Sequence, residues 1–165
     1  MSASDHVDEI LRDFDRRKGL LDELHGRVEL LLHELLDDRG IRVHSVESRV
    51  KGRESLERKV RGHVPPYETL EAITDLVGAR VITYFEDDVD TVKGLLEAEF
   101  EVDPANSHDL RKTIDRDRFG YVSVHDVVTL SPARAALPEW RRFAGGRCRA
   151  RLRPRRCSGV DRARC

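Results

Sequence analysis

"IRVHSVESRVKGRESLERKV", residues 41–60, changes period halfway along. Its first half, Ile41 to Lys51, alternates apolar and polar side chains and reads as a β-strand. Val43, Val46 and Val50 are out of strict step, so a bulge is expected. After Gly52 the apolar positions fall at Leu56 and Val60, four apart, which is helical spacing. A strand that runs into a helix is a building unit of a mixed α/β sheet, and the flanking sequence repeats the alternation of elements.

Upstream, Ser4 or Asp5 can cap a long helix whose apolar positions run from Val7, Ile10, Leu11 and Phe14 to Leu31, Leu32, Leu35 and Leu36, with Gly40 as its stop. Gly19 and Gly26 are weak points in it. Downstream, Pro65-Pro66 breaks the chain, "ETLEAITDLVG" (68–78) reads as a short helix, and "ARVITYF" (79–85) as a buried strand. "EDDVDTVKGLLEAEF" (86–100) is an amphipathic helix with acids in its first turn, where the helix dipole favours them. "NSHDLRKTIDRDR" (106–118) has no period and reads as a polar loop, and "FGYVSVHDVVTL" (119–130) alternates as a third strand. The expected fold is α/β (α+β): a mixed sheet flanked by helices, with a long N-terminal helix. The division is a helical segment over 1–40, a core over 41–131 and a tail over 132–165.

Charge separates that tail from the rest. The 165 residues carry 30 Lys and Arg against 31 Asp and Glu. Residues 145–165 hold eight of the arginines and one acid, Asp161, so the remainder holds 22 basic and 30 acidic side chains. A basic cluster at 49–59 within an acidic body points to a local anionic ligand rather than to general nucleic-acid affinity. Cys148, Cys157 and Cys165 all lie in the tail, at spacings that fit no zinc pattern. The N-terminus is too polar for a signal peptide and no apolar run approaches the roughly 20 residues of a membrane span, so the expected location is the cytoplasm.

Three constellations carry chemistry. Arg49 and Lys51 share a face at the strand end, and Lys59 lies two turns into the following helix. Three cations converging there suit a triphosphate, with Arg gripping oxygens bidentately and Lys adding point charge. The alternative is a solvated helix face paired with Glu54 and Glu57. Asp75, at a helix-to-strand junction, suits a Mg²⁺ ligand, since that ion takes one or two carboxylates and leaves the rest to water and phosphate. The alternative is an ion pair with Arg80. Tyr121, Ser123 and His125 alternate on one strand face beside Gly120, an arrangement that lets a base stack on the tyrosine. The alternative is an exposed half-strand with a satisfied histidine.

Taken together, "R-V-K-x-x-x-S-x-x-x-K" (49–59), "D-L-V-G-A-R" (75–80) and "G-Y-V-S-V-H" (120–125), in this order, resemble the synthetase domain of RelA/SpoT-type alarmone synthetases. The resemblance implies a nucleotidyltransferase-like fold and transfer of pyrophosphate from ATP to the 3′-hydroxyl of GTP or GDP, with Mg²⁺ as cofactor. It implies that Arg49, Lys51 and Lys59 hold ATP phosphates, with Ser55 and Arg80 in support. It further implies that Asp75 binds Mg²⁺, that Tyr121 stacks on the acceptor base, and that His125 contacts acceptor phosphate or ribose. Arg111 and Lys112 match more loosely, as acceptor-phosphate contacts. Toxic small relatives act on the 3′ end of tRNA, so tRNA is the alternative acceptor, and a non-catalytic nucleotide-binding module is the rival of another class.

Family members continue into a strand carrying "E-x-Q-I-R", whose glutamate is the second metal ligand and candidate base. Here the chain reads "GRCRARLRPRRCSGVDRARC" (146–165), which resembles out-of-frame translation of a GC-rich gene. The expectations are that this tail is disordered, that the third strand is left as an unpaired edge, that Asp75 is the sole metal carboxylate, and that activity is impaired.

Overall fold

The computed structural model describes residues 3–112 and 123–155. Helix α1 (Ala3–Asp38) leads into β1 (Val43–Val50), α2 (Arg53–Gly62), β2 (Val77–Thr83), α3 (Asp87–Glu99), β3 (Phe100–Asp109), β4 (Val124–Leu130), the single turn α4 (Pro132–Ala135) and β5 (Cys148–Pro154). The five strands form one mixed sheet in the order β1-β2-β5-β4-β3. Only β2 and β5 are parallel.

The 36-residue α1, about 54 Å long, runs unbroken through Gly19 and Gly26. Both glycines face open space, so they cost propensity without breaking packing. The C-terminal half of α1 lays Leu24, Val28, Leu31, Leu32 and Leu36 on one sheet face, beside Val89, Val92, Leu95 and Leu96 of α3. The N-terminal half packs Val7, Ile10, Leu11 and Phe14 against Leu56 and Val60 of α2 and against Leu70, Ile73 and Leu76. Helix α1 is therefore integral to the fold.

Three expected elements differ. Residues 68–76 form only a 3-10 turn, Leu70–Ala72, and Val77 and Gly78 already belong to β2. Leu70, Ile73 and Leu76 are buried in the second cluster, and the Lys51 amide donates to the Leu76 carbonyl at 2.8 Å, drawing the segment out toward β2. The polar "loop" begins as strand: β3 covers residues 100–109. It is a sheet edge, and its pairing with β4 slips between Asp103 and His108, around Pro104, a residue that edge strands tolerate. The expected third strand starts, within the described residues, at Val124.

The largest correction concerns the tail. Residues 148–154, expected to be disordered, form β5 between β2 and β4. Cys148, Ala150 and Leu152 alternate into the core, and Leu152 is fully buried. Arg149, Arg151 and Arg153 alternate onto the other face. β4 is consequently an interior strand and no unpaired edge. Burial pushes the Cys148 thiol up to about 12, so it packs as a small hydrophobe. Cys157 and Cys165 lie outside the described residues. Among the described residues, no helix is long and apolar enough to cross a membrane.

One buried carboxylate sits on the helix-covered face. Asp126 is 3% exposed, and its Oδ2 has no hydrogen-bond partner among the described residues. Burial raises its pKa; Glu97 and Asp109 add to the rise, while Lys93 and Arg111 oppose it. A carboxyl raised on folding gives stability that is full below its unfolded pKa and is lost as pH rises through the folded value. Asp126→Asn should therefore raise the thermal midpoint at pH 7 and change it little near pH 4. An unchanged midpoint at pH 7 would mean that the carboxylate is solvated as well folded as unfolded.

Candidate functional site

The sheet face opposite α1 and α3 opens into a cavity of about 460 Å³ at the junction of β1, α2, β2, β4 and β5. Arg49 and Lys51 reach it from the end of β1, Ser55 from the first turns of α2, Arg80 from β2 and His125 from β4. Of the residues expected at a donor site, Arg49, Lys51, Ser55 and Arg80 line this cavity and Lys59 does not; His125, expected at the acceptor, lines it too.

Asp75 is the hub. Lys51 Nζ donates to its Oδ2 at 3.0 Å and Lys59 Nζ to its Oδ1 at 2.8 Å, with Arg149 Nη1 3.9 Å from Oδ2. Burial pushes the Asp75 pKa up, but the hydrogen bonds from Lys59 and Lys51 more than offset it, so the group stays below its ordinary value and ionised. Arg80 pairs with Glu47 at 2.7 Å, which corrects the alternative that paired it with Asp75. Lys59 likewise pairs with Asp75 and not with Glu54 or Glu57, so the solvated-face alternative for the basic cluster fails at this residue.

Strand register explains the rest. Glu47 lies opposite Arg80, Arg80 opposite Arg151, Arg151 opposite His125, and His125 opposite His108. One lateral row of side chains therefore crosses all five strands. The next row sets Arg49 opposite Gly78 and Gly78 opposite Arg149, so the glycine leaves a trough between two arginines. His125 Nε2 lies 3.1 Å from Ser123 Oγ. Its pKa is lowered first by burial, then by the charges of Arg151 and Arg149 and by His108, so the imidazole is held neutral.

Two loosely matched residues lie elsewhere. Arg111, in the 3-10 turn Leu110–Lys112, donates to Asp109 and Asp90, and neither it nor Lys112 lines the cavity. Tyr121 and Gly120 lie outside the described residues. Reading along the chain missed Glu47, Arg149 and Arg151, all of which line the cavity. The period-two spacing of Arg149, Arg151 and Arg153 was the available signal, hidden by the density of charge around it.

The sequence model described as "Region found in RelA / SpoT proteins" matches residues 48–139, more than half of the chain. The chain belongs to the RelA/SpoT family. Among solved structures it is similar to small alarmone synthetase 1 from Bacillus subtilis, at 22% identity and a TM-score of 0.64 over 87% of this chain and 71% of that one. The same synthetase bound to its product pppGpp matches at 20% identity and a TM-score of 0.64, over 87% and 73%. A GTP pyrophosphokinase family protein from Streptococcus pneumoniae matches at 22% identity and a TM-score of 0.58, over 87% and 68%. At these identities the likeness establishes the fold. No curated protein matches the chain.

The RelA/SpoT match ends before β5. In chain order β5 stands where the "E-x-Q-I-R" strand is expected, and it reads R-A-R-L-R over 149–153. Setting Leu152 and Arg153 on the pattern's I and R places Arg149 at its glutamate. The Mg²⁺ that the resemblance implies is poorly served by these side chains. Both oxygens of Asp75 are taken by lysines, Glu47 is taken by Arg80, and no group of three His, Cys, Asp or Glu able to hold a metal occurs among the described residues. Glu47 also lines the cavity, but it lies against Arg80.

Proposed function

We propose that this RelA/SpoT-family chain binds ATP by its triphosphate in the cation-lined cavity. We further propose that it carries the frame of a GTP pyrophosphokinase, with transfer to the 3′-hydroxyl of GTP or GDP impaired. The observation that carries the reading is that Arg49, Lys51 and Arg80 line one cavity with Asp75, whose carboxylate Lys51 and Lys59 both bond. Asp75 holds the two lysine ammoniums in place until phosphate oxygens replace it as their partner. Arg49 and Arg80 can then grip oxygens bidentately, and Ser55 adds a hydroxyl at the start of α2.

In the transfer itself the 3′-hydroxyl oxygen bonds to the β-phosphorus. The bond from that phosphorus to the bridging oxygen breaks, AMP leaves with the electron pair, and the hydroxyl proton passes to a base. Such chemistry asks a protein for positioning and charge stabilisation more than for covalent help. Among the described residues lining the cavity, the base not held in an ion pair is His125, neutral but of lowered pKa, hence a poor proton acceptor. Arg149, at the position of the family glutamate, can accept no proton at all. Impairment follows from these two residues.

The binding half is tested with ATP alone. Lys51→Ala and Arg49→Ala should each weaken ATP binding by about 1.5–3 kcal/mol, the range of a charge-assisted hydrogen bond, with an unchanged circular dichroism spectrum. Equal ATP affinity in the parent and in the double variant would return the cluster to a solvated surface.

A further inference from the structure

We propose that Arg149 and Arg151 of β5 stand in for a divalent ion, so that the cavity takes a nucleotide polyphosphate as the metal-free anion; this rests on the nucleotide reading of the cavity. Among the described residues, Arg49, Lys51, Arg80, Arg149 and Arg151 line the cavity against two carboxylates, Glu47 and Asp75, a surplus of three positive charges. Like charges directly opposite one another on neighbouring strands repel, yet Arg80 and Arg151 hold such positions in the sheet. An anion lying over the row would turn that repulsion into shared attraction. A polyphosphate free of metal carries more negative charge than its magnesium complex, so it answers the surplus better.

The placement of the two arginines favours the same occupant. They project from the central strand, whose backbone is paired on both sides, so their positions are fixed before any ligand arrives. Arg149 Nη2 donates to Thr74 Oγ1 at 3.1 Å, which orients the guanidinium beside Asp75, and its buried Nε has no hydrogen-bond partner among the described residues. A divalent ion entering here would face five cations with both carboxylates already engaged. A guanidinium supplies charge neutralisation in a planar fork matched to phosphate oxygens, without requiring carboxylate ligands.

The test is calorimetric titration of the full chain with ATP, in excess EDTA and again in saturating MgCl₂. ATP should bind at least as tightly in EDTA as in MgCl₂. Arg149→Gln and Arg151→Gln should each weaken the EDTA binding about tenfold or more. Inorganic tripolyphosphate should compete with ATP in EDTA on the unmodified chain, a measurement that needs no variant to fold. Binding that requires MgCl₂ overturns the proposal and leaves the nucleotide reading standing, as does EDTA binding indifferent to both arginines or to tripolyphosphate. No ATP binding under either condition overturns the nucleotide reading itself.

Discussion

A chain ending at Ala144 should show no cooperative unfolding transition, whereas the full chain should melt in one. The truncation removes β5. Without it β2 and β4 lose their shared partner, and the five-stranded sheet falls into two two-stranded ribbons, β1-β2 and β4-β3. Isolated ribbons of that kind are marginal in water. The loss also uncovers the centre of the hydrophobic cluster, where Leu152 is fully buried and Cys148 and Ala150 nearly so. Truncating Leu152 alone, as Leu152→Ala, should cost about 2–5 kcal/mol. Domains commonly hold only about 5–15 kcal/mol in total, so removing the whole strand should exceed what is available. The measurements are thermal unfolding followed by circular dichroism and binding of a hydrophobic dye. A sharp transition at the parental midpoint in the 1–144 chain would mean that the sheet closes without β5.

The second large effect is on turnover. With ATP as donor, MgCl₂ present, and GTP, GDP or tRNA as acceptor, the chain should release little or no AMP. Donor and acceptor bring several negative charges together, and preorganised charge at the reacting phosphoryl group is usually the largest single contribution to such catalysis. The cations meet the ground-state charge of the donor as well as that of the transition state, and uniform binding does not raise turnover. General-base catalysis, worth about 10²–10⁴, is left to His125, which burial and then the neighbouring arginines make less basic than free imidazole. Arg149→Glu, which returns a carboxylate to the family position, should raise AMP release above the parent's, and Arg149→Gln should not. Vigorous AMP formation by the parent chain, abolished by Asp75→Ala, would show that one carboxylate among cations suffices and that the impairment assigned here is wrong. Which acceptor supports any residual release would separate the guanosine nucleotide from the tRNA 3′ end.

Much of the frame was legible in order along the chain. The apolar stripe of α1, the change of period between β1 and α2, the apolar run of β2 and the amphipathic α3 are local patterns. Each element buries one face against a neighbour that needs no naming to be inferred. The cations at 49–59 could likewise be read as converging, because a strand and the helix after it fix their relative directions within a few residues. Other assignments were not legible, for reasons that differ. β3 is a solvated edge, so its Asp, Asn and His content resembled a loop. The 68–78 segment has helical composition, but packing of Leu70, Ile73 and Leu76 in the second cluster decided its path. Both cases are tertiary context overriding local preference.

The sequence by itself determined the succession α1, β1, α2, β2 and α3, the family and the cations of the 49–59 cluster. Only the tertiary structure decided that the arginine-rich stretch 148–154 is the central strand. Its apolar residues are Cys148, Ala150 and Leu152, and three small or medium side chains among arginines carry a weak signal until strands on both sides supply partners. The same is true of the charge at the site. Arg80 and Arg151 are far apart in the chain and adjacent in the sheet, as are Arg49 and Gly78. Hydrogen-bond register across strands, which no single stretch of sequence contains, is what turned a carboxylate-poor cavity into a cationic one.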